Sequence, residues 1–136
     1  MPFTRSENAI SMSKQILLID DEADIHEIVK AGLMLQSDWT LFTALTGDEG
    51  IALAHTEPID AILLDAMMPQ RDGAATLKLL QVDPETASIP VVFLTAKAQT
   101  TDKRKFYALG AKGIIAKPFS IMTLASQISG FLGWAD

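Results

Sequence analysis

The chain contains no cysteine among its 136 residues. A disulfide framework, a zinc site with cysteine ligands and a cysteine nucleophile are therefore excluded. A chain of this length builds a hydrophobic core without covalent or metal crosslinks, so we expect a single domain. The lack of cysteine also fits a reducing compartment.

Positive charge is scarce as well, because 11 lysine and arginine residues face 17 aspartate and glutamate residues, a formal net charge of -6. This balance argues against direct binding to nucleic acid, which needs a basic face to displace counterions. It suits a divalent cation or a basic partner surface. The chain also lacks an apolar run near the ~20 residues of a membrane span, and its polar N-terminus is unlike a secretory signal. We expect a cytoplasmic protein without a membrane segment.

Short apolar runs alternate with longer amphipathic stretches from Gln15 onward. Each run is continuous and rich in Ile, Leu and Val, as in a strand that is buried on both faces of a parallel sheet. The second run mixes threonine with apolar residues, which favours a position nearer a sheet edge. The predicted strands are Ile16–Ile19, Trp39–Ala44, Ala61–Leu64, Val91–Leu94 and Gly113–Ala116.

The stretches between these runs carry apolar residues at helical spacing. Asp24 is the expected cap of the first helix, Ser120 is the expected cap of the last, and Gly110 is the expected C′ residue of the fourth. The helices between are predicted over Gly47–Ala54, Ala74–Val82 and Thr101–Leu109. Five strands alternating with five helices predict an α/β fold, with a parallel sheet covered on both faces.

Some residues lie outside this pattern. Residues 1–13 are polar and aperiodic, and we predict a flexible extension, or a consequence of start-site choice, before a domain over 14–136. His26 and His55 have no partner at ligand spacing and are predicted to be surface residues. Trp39 and Trp134 are predicted to be packing residues.

Chemically active side chains follow the predicted strands, where a doubly wound sheet binds its ligands. They are Asp20, Asp21 and Glu22 after the first strand, Asp65 after the third, Thr95 after the fourth and Lys117 after the fifth. Clustered carboxylates repel one another, and a hard cation such as Mg²⁺ relieves that repulsion. A hydroxyl and an ammonium suit the oxygens of a phosphoryl group, and carboxylates are known nucleophiles in aspartyl-phosphate chemistry. The set predicts metal-assisted phosphoryl transfer.

Four segments carry a family resemblance. Ile16-Leu17-Leu18-Ile19-Asp20-Asp21-Glu22, Asp65-Ala66-Met67-Met68-Pro69-Gln70-Arg71-Asp72-Gly73, Thr95-Ala96-Lys97 and Lys117-Pro118-Phe119 together resemble the response-regulator receiver family of two-component signalling, which includes chemotaxis-protein-like domains. The resemblance runs from about Gln15 to about Leu132. It implies a doubly wound, flavodoxin-like (βα)5 fold and a signalling domain that catalyses only its own phosphorylation and slow dephosphorylation.

The resemblance implies a role for each matching residue. Asp65 would be the phosphoacceptor and a ligand of Mg²⁺ or Mn²⁺. Asp21 would bind the metal directly, Asp20 mainly through water, and Met67 through its backbone carbonyl. Thr95 would hydrogen-bond the phosphoryl group.

Lys117 would pair with Asp65 or with the phosphoryl oxygens, and the bond between Lys117 and Pro118 would be cis. The phosphoryl donor would be a phosphohistidine on a histidine kinase or a histidine phosphotransfer protein. The output would pass through the face formed by the fourth helix, fifth strand and fifth helix, from about Ala98 to Leu132, with a possible phosphorylation-linked homodimer.

Two departures from the family pattern affect the expected signal. Ile114 stands where the family often has an aromatic residue on the fifth strand, so an inward-swinging ring is absent. Met67 and Lys97 occupy positions that influence phosphoryl lifetime in the family. Because the apolar Met67 cannot orient an attacking water, we expect slow hydrolysis, and Lys97 would add electrostatic stabilisation.

Other functions stay open at this point. The chain is either a stand-alone regulator or a receiver fragment of a larger regulator or hybrid kinase. A Mg²⁺-dependent phosphatase of the haloacid type would need its nucleophile after the first strand with an aspartate two residues on, whereas Asp20 is followed by Asp21 and Glu22. A pseudo-receiver that is never phosphorylated is disfavoured by the full acidic set with Thr95 and Lys117.

Overall fold

The computed structural model describes residues 13–68, 72–96 and 99–134, so the predicted N-terminal extension lies outside it except for Ser13. The strands are β1 (Gln15–Ile19), β2 (Thr40–Ala44), β3 (Ala61–Asp65), β4 (Val91–Thr95) and β5 (Gly113–Ala116). The helices are α1 (Ala23–Gln36), α2 (Gly47–Thr56), α3 (Gly73–Val82), α4 (Thr100–Ala108) and α5 (Leu124–Leu132). No helix of the described ranges is long and apolar enough to span a bilayer.

All strand pairs are parallel, and the sheet order is β2-β1-β3-β4-β5. This is the doubly wound, flavodoxin-like arrangement, and the predicted fold is confirmed. Strands β3 and β4 are buried along their whole length, which explains their continuous apolar sequence. Strand β2 lies at one edge and is mostly exposed or half-buried, as its threonines indicated.

Alternate residues of each central strand point to opposite faces of the sheet and form two apolar layers. One layer contains Leu64 and Phe93 and is covered by α2, α3 and α4. The other contains Leu63 and Leu94 and is covered by α1 and α5. Each fully buried leucine or phenylalanine contributes roughly 1.5–3 kcal/mol relative to an exposed one, so the sheet core is the main source of stability.

The predicted cap of the first helix is wrong. Helix α1 begins at Ala23 with Glu22 in the N-cap position, and Asp24 lies in the first turn, where a carboxylate suits the helix dipole. Glu22 makes no side-chain cap bond. Its carboxylate instead lies 3.2 Å from the ammonium of Lys117.

The predicted cap of the last helix is also wrong, because Thr123 holds that position. The Ser120 hydroxyl accepts a bond from the amide of Met122 at 3.1 Å and closes a turn before the helix. Gly110 follows α4 with a φ of 108° and confirms the predicted C′ glycine. The positive φ is the reason that glycine is suited to this site.

The two tryptophans are packing residues, as predicted, and they contact each other. The rings of Trp39 and Trp134 lie 5.3 Å apart in an edge-to-face arrangement, and the ammonium of Lys14 lies 4.8 Å from the Trp134 ring. The contact joins the segment before β2 to the end of α5.

His55 is exposed, as predicted, but it has two partners that the prediction missed. Its Nε2 lies 2.9 Å from Asp83 and its Nδ1 lies 2.8 Å from Glu85, so one imidazole at the end of α2 joins two carboxylates that follow α3. The hydrogen bond to Glu85 raises the pKa of His55 above its ordinary value of 6.5, and the charge of Asp83 adds to this shift. These partners lie about 30 residues away along the chain, so local spacing gave no sign of them.

Gly73 sits where α3 approaches the end of β3. A Cβ atom there would lie 2.5 Å from the carbonyl oxygen of Asp65 and 2.7 Å from the Cα of Ala66, both of which belong to the backbone. Because backbone atoms cannot rotate away, only glycine permits this approach.

We predict that Gly73→Ala lowers the free energy of unfolding by about 1–3 kcal/mol, because the added methyl group overpacks the end of β3. Gly130→Ala is the matched control, since a Cβ at this exposed position of α5 meets no atom within 4 Å. It should raise stability by about 0.5–1 kcal/mol through helix propensity. Urea denaturation measures both, and equal effects of the two variants would contradict the packing argument.

We also predict that His55 titrates above 6.5 in the folded protein. A folded-state pKa raised above the unfolded value adds stability that is complete below about pH 6.5 and is lost as pH rises through the folded pKa. An NMR titration of the imidazole checks this, with Glu85→Gln expected to lower the pKa and Glu57→Gln as control. A His55 pKa at or below 6.5 would refute the assignment.

Candidate functional site

Asp65 ends β3 and is buried, with 3% of its surface exposed. Its Oδ1 accepts a hydrogen bond of 3.0 Å from the amide of Met67, which orients the carboxylate. Burial raises the pKa of Asp65 to about 6, with smaller upward contributions from Asp20 and Asp21, while the Met67 amide and Lys117 act in the opposite direction. At neutral pH this carboxylate is mostly ionised and more basic than an ordinary aspartate.

Asp20 directly follows β1 and is fully buried. Its Oδ1 accepts from the amide of Glu22 at 2.9 Å, and its Oδ2 accepts from Lys117 at 2.8 Å. Asp21 is exposed at the mouth of the site. The neighbouring Asp20 and Asp21 therefore differ in environment, since Asp20 is enclosed by protein and Asp21 faces solvent.

The carboxylates of Asp20, Asp21 and Asp65 converge, with one oxygen of each lying within 4.8 Å of the others. Three carboxylate oxygens at this separation are the hard donors that Mg²⁺ and Mn²⁺ prefer, and mutual repulsion is relieved when a cation lies between them. The donor set thus fits a divalent metal, and an acidic cluster of this kind is typical of the magnesium site of receiver domains.

An open cavity of about 250 Å³ is lined by Asp21, Glu22 and Asp65. Its walls include the exposed Met67 and, from neighbouring strand ends, Ala96 and Lys117. The small side chain of Ala96 leaves access to Asp65. The cavity is large enough for a small tetrahedral group and several waters, since each water occupies about 30 Å³.

Lys117 follows β5 and points at the acidic cluster. Its ammonium lies 2.8 Å from Asp20, 3.2 Å from Glu22 and 3.6 Å from Asp65, so the contact with Asp65 is an ion pair without a hydrogen bond. Burial acts to lower the pKa of Lys117, but the hydrogen bond and charge of Asp20 and the charge of Asp65 outweigh it, and the net shift is upward. The lysine therefore stays charged, with Asp20 as its nearest partner.

Thr95 ends β4 and is fully buried beside Asp65 in the sheet order. Its carbonyl oxygen accepts a bond of 2.8 Å from the amide of Lys117, which links the ends of β4 and β5. The peptide bond between Lys117 and Pro118 is cis, as the resemblance implied. Lys97, named above for phosphoryl lifetime, lies outside the described residues.

Ile114 occupies the fifth-strand position that is often aromatic in the family. It is buried, pairs with Phe93 in the β4–β5 register and belongs to the same apolar layer as Phe106. The ring centroids of Phe93 and Phe106 lie 4.7 Å apart, with the ring planes tilted by 44°. The aromatic residues near the site are therefore structural members of the core on the α4 side.

Two residues near the site had no assigned role in the sequence. Glu22 accepts a hydrogen bond from the ammonium of Lys117. The only sequence feature that could have indicated this role is its position directly after Asp20 and Asp21. His26 is half-buried, and its Nε2 lies 2.7 Å from the carbonyl oxygen of Asp20, so its prediction as a plain surface residue is wrong. No pattern of residue types predicts a bond from a side chain to the main chain at this separation.

The sequence is similar to a known protein family and to several curated proteins. The family described as Response regulator receiver domain matches residues 16–129. The transcriptional regulatory protein DltR of Streptococcus agalactiae is 37% identical over 114 residues, 84% of this chain and 50% of that protein. The alkaline phosphatase synthesis transcriptional regulatory protein PhoP of Bacillus subtilis is 35% identical over 121 residues, 89% of this chain and 49% of that protein. The chain thus spans about half the length of these curated relatives.

Solved structures show the same likeness. Chemotaxis response regulator CheY4 of Vibrio cholerae superposes with a TM-score of 0.80 at 27% identity, covering 88% of this chain and 98% of that one. The receiver domain of the Francisella response regulator 1452 gives a TM-score of 0.78 at 28% identity, covering 88% and 97%. With the fold, the acidic cluster and the match over most of its length in agreement, the chain belongs to the response regulator receiver domain family of two-component signalling, whose members are signalling phosphoacceptors and not true enzymes.

Proposed function

We propose that Asp65 accepts a phosphoryl group from a phosphohistidine, on a histidine kinase or a histidine phosphotransfer protein, in the presence of Mg²⁺ or Mn²⁺. The observation that carries this proposal is the position of one buried carboxylate between two further carboxylates and an ammonium. Phosphoryl transfer depends mainly on positioning and charge neutralisation, and this arrangement supplies both. We also propose that residues 14–136 are the receiver unit.

Of the two buried carboxylates, Asp65 is better placed than Asp20 to act as the nucleophile. Both oxygens of Asp20 already accept hydrogen bonds, from the Glu22 amide and from Lys117. Asp65 has one oxygen fixed by the Met67 amide, while the other lies beyond hydrogen-bond distance of the ammonium and beside the cavity. Its pKa of about 6 keeps it ionised at neutral pH and makes it a stronger nucleophile than an aspartate in water.

The proposed transfer exchanges one bond to phosphorus for another. An oxygen of Asp65 forms the new bond to phosphorus, the bond from phosphorus to the donor's imidazole nitrogen breaks, and that nitrogen leaves with the electron pair. Lys117 lies 3.6 Å from Asp65 and would neutralise charge on the phosphoryl oxygens. The hydroxyl of Thr95, at the adjacent strand end, would hydrogen-bond the group after transfer.

The acidic cluster would hold the metal. Asp21 and Asp65 would bind it directly, Asp20 mainly through water, and Met67 through its backbone carbonyl. When bound, a divalent cation offsets the negative charge that accumulates on the phosphoryl oxygens. The convergence of three carboxylates within one small site supports this assignment.

The signal would leave through the face formed by α4, β5 and α5. The bond between the Lys117 amide and the Thr95 carbonyl joins the phosphoryl-binding residues to this face. Exposed residues of α4 include Lys103, Arg104 and Tyr107, which suit an acidic partner protein or a second copy of the chain. The relatives named above are transcriptional regulators, so the partner of this face is either a separate protein or another part of a longer regulator, with no nucleic acid bound by the receiver itself.

A beryllofluoride titration tests the acceptor assignment. We expect the chain to bind beryllofluoride with Mg²⁺ and to show amide NMR shifts around Asp65, Thr95 and Lys117. Asp65→Asn should abolish binding, because a neutral amide does not ligate beryllium. Asp24→Asn, on the exposed first turn of α1, serves as the matched control and should bind normally. Absence of binding by the unmodified chain would favour a receiver fold that is never phosphorylated.

The side chain of Met67 is half exposed at the mouth of the cavity and offers no group that orients water. We therefore expect Met67→Asn to speed phosphate loss from phospho-Asp65 by about tenfold, less than a true general base provides. Met67→Leu is the control and should leave the rate unchanged. The rate of phosphate release after donor removal is the measurement, and an unaltered rate in Met67→Asn would disprove the role of Met67.

A further inference from the structure

His26 donates a hydrogen bond to the main chain of the acidic cluster. Its Nε2 lies 2.7 Å from the carbonyl oxygen of Asp20. That carbonyl belongs to the peptide unit that joins Asp20 to Asp21, so its orientation sets the direction in which both side chains leave the backbone. A carbonyl only accepts, hence Nε2 carries the proton in this contact.

This peptide unit is the first one after β1, where the chain leaves the sheet. The Asp20 amide still pairs with the Ala44 carbonyl at 3.1 Å, but the Asp20 carbonyl turns to the side chain from α1 instead. With the bonds of its carboxylate to the Glu22 amide and to Lys117, all four polar atoms of the buried Asp20 have partners. His26 supplies the one partner that comes from a helix side chain.

The position of His26 allows it to act through this bond without touching the metal or the phosphoryl group. It lies on α1, facing a groove between α1 and β2 that is also lined by Lys30, Trp39 and Glu49. The groove is separate from the cavity beside Asp65, whose walls do not include His26. The imidazole therefore approaches the acidic cluster from behind.

We propose that His26 is a positioning residue of the metal centre, which fixes the peptide unit between Asp20 and Asp21 and thereby preorganises both carboxylates for a divalent cation. The inference rests on the proposed function, because it concerns the metal site of the phosphoacceptor. Partners that hold metal ligands in place commonly change affinity without contacting the ion. The defect on removing His26 is accordingly a weaker affinity for the cation, with the chemistry of transfer intact once the site is filled.

The test is a Mg²⁺ titration of the full chain without a phosphodonor. The amide NMR shifts of Asp21 and Glu22 report the binding. His26→Ala should weaken Mg²⁺ binding by about tenfold, the low end for loss of such a partner. His26→Gln places an amide donor near the position of Nε2 and should stay within about threefold of the unmodified chain, whereas the shorter His26→Asn should resemble His26→Ala. Lys30→Ala, one turn along α1 in the same groove, is the matched control and should bind normally.

Phosphorylation kinetics distinguish a positioning role of His26 from a general loss of structure. With a small-molecule acyl phosphate as donor, His26→Ala should need more Mg²⁺ for half-maximal phosphorylation but reach the unmodified rate at saturation. Unchanged Mg²⁺ affinity in both His26→Ala and His26→Asn would overturn the inference, as would a rate that saturating Mg²⁺ does not restore. If the unmodified chain bound no Mg²⁺, the proposed function would fail and this inference with it, whereas normal binding by every His26 variant would remove only the inference.

Discussion

The structure depends on keeping several negative charges close together at the carboxyl edge of a parallel sheet. Asp20 and Asp65 are buried there with Asp21 at the mouth, and separately each charge would be costly to remove from water. Lys117 reduces that cost by contacting two of the carboxylates, and backbone amides bind the remaining oxygens of both buried residues. Burial, with smaller contributions from the charges of Asp20 and Asp21, raises the pKa of Asp65 to about 6 even so. A divalent cation bound between these carboxylates would offset that repulsion.

The fold provides this edge through two apolar layers. Because β1, β3 and β4 are covered on both faces, they are rigid and their ends fix Asp20, Asp65 and Thr95 relative to one another. Two helices also contact these strand ends. Helix α1 binds the Asp20 carbonyl through His26, and α3 packs on the main chain of Asp65 through Gly73. The site is therefore built mainly from strand ends, while helices restrict how far those ends move.

Much of this was predictable from the sequence, for a physical reason. Strands buried on both faces need continuous apolar residues, and parallel strands bring their carboxyl ends to one edge, so both the sheet and the approximate membership of the site could be read directly. The wrong predictions about individual side chains share another cause. Glu22, which holds the N-cap position predicted for Asp24, forms an ion pair with the distant Lys117. His55 contacts Asp83 and Glu85, which are about 30 residues away along the chain. His26 binds a carbonyl, which every residue has. Side-chain partners at long range, and any bond to the main chain, leave no periodic signal.

Gly73 also bears on how the domain responds to modification. The space behind Asp65 is filled by the first turn of α3, which rests on the main chain itself and has no side chain that could rotate aside. Under the proposed phosphorylation, a larger group on Asp65 would have room on the opposite side, towards Ala96 and Lys117, where the cavity opens. Helix α3 would thus act as a fixed wall behind a phosphorylated Asp65, and the added group would extend into the cavity.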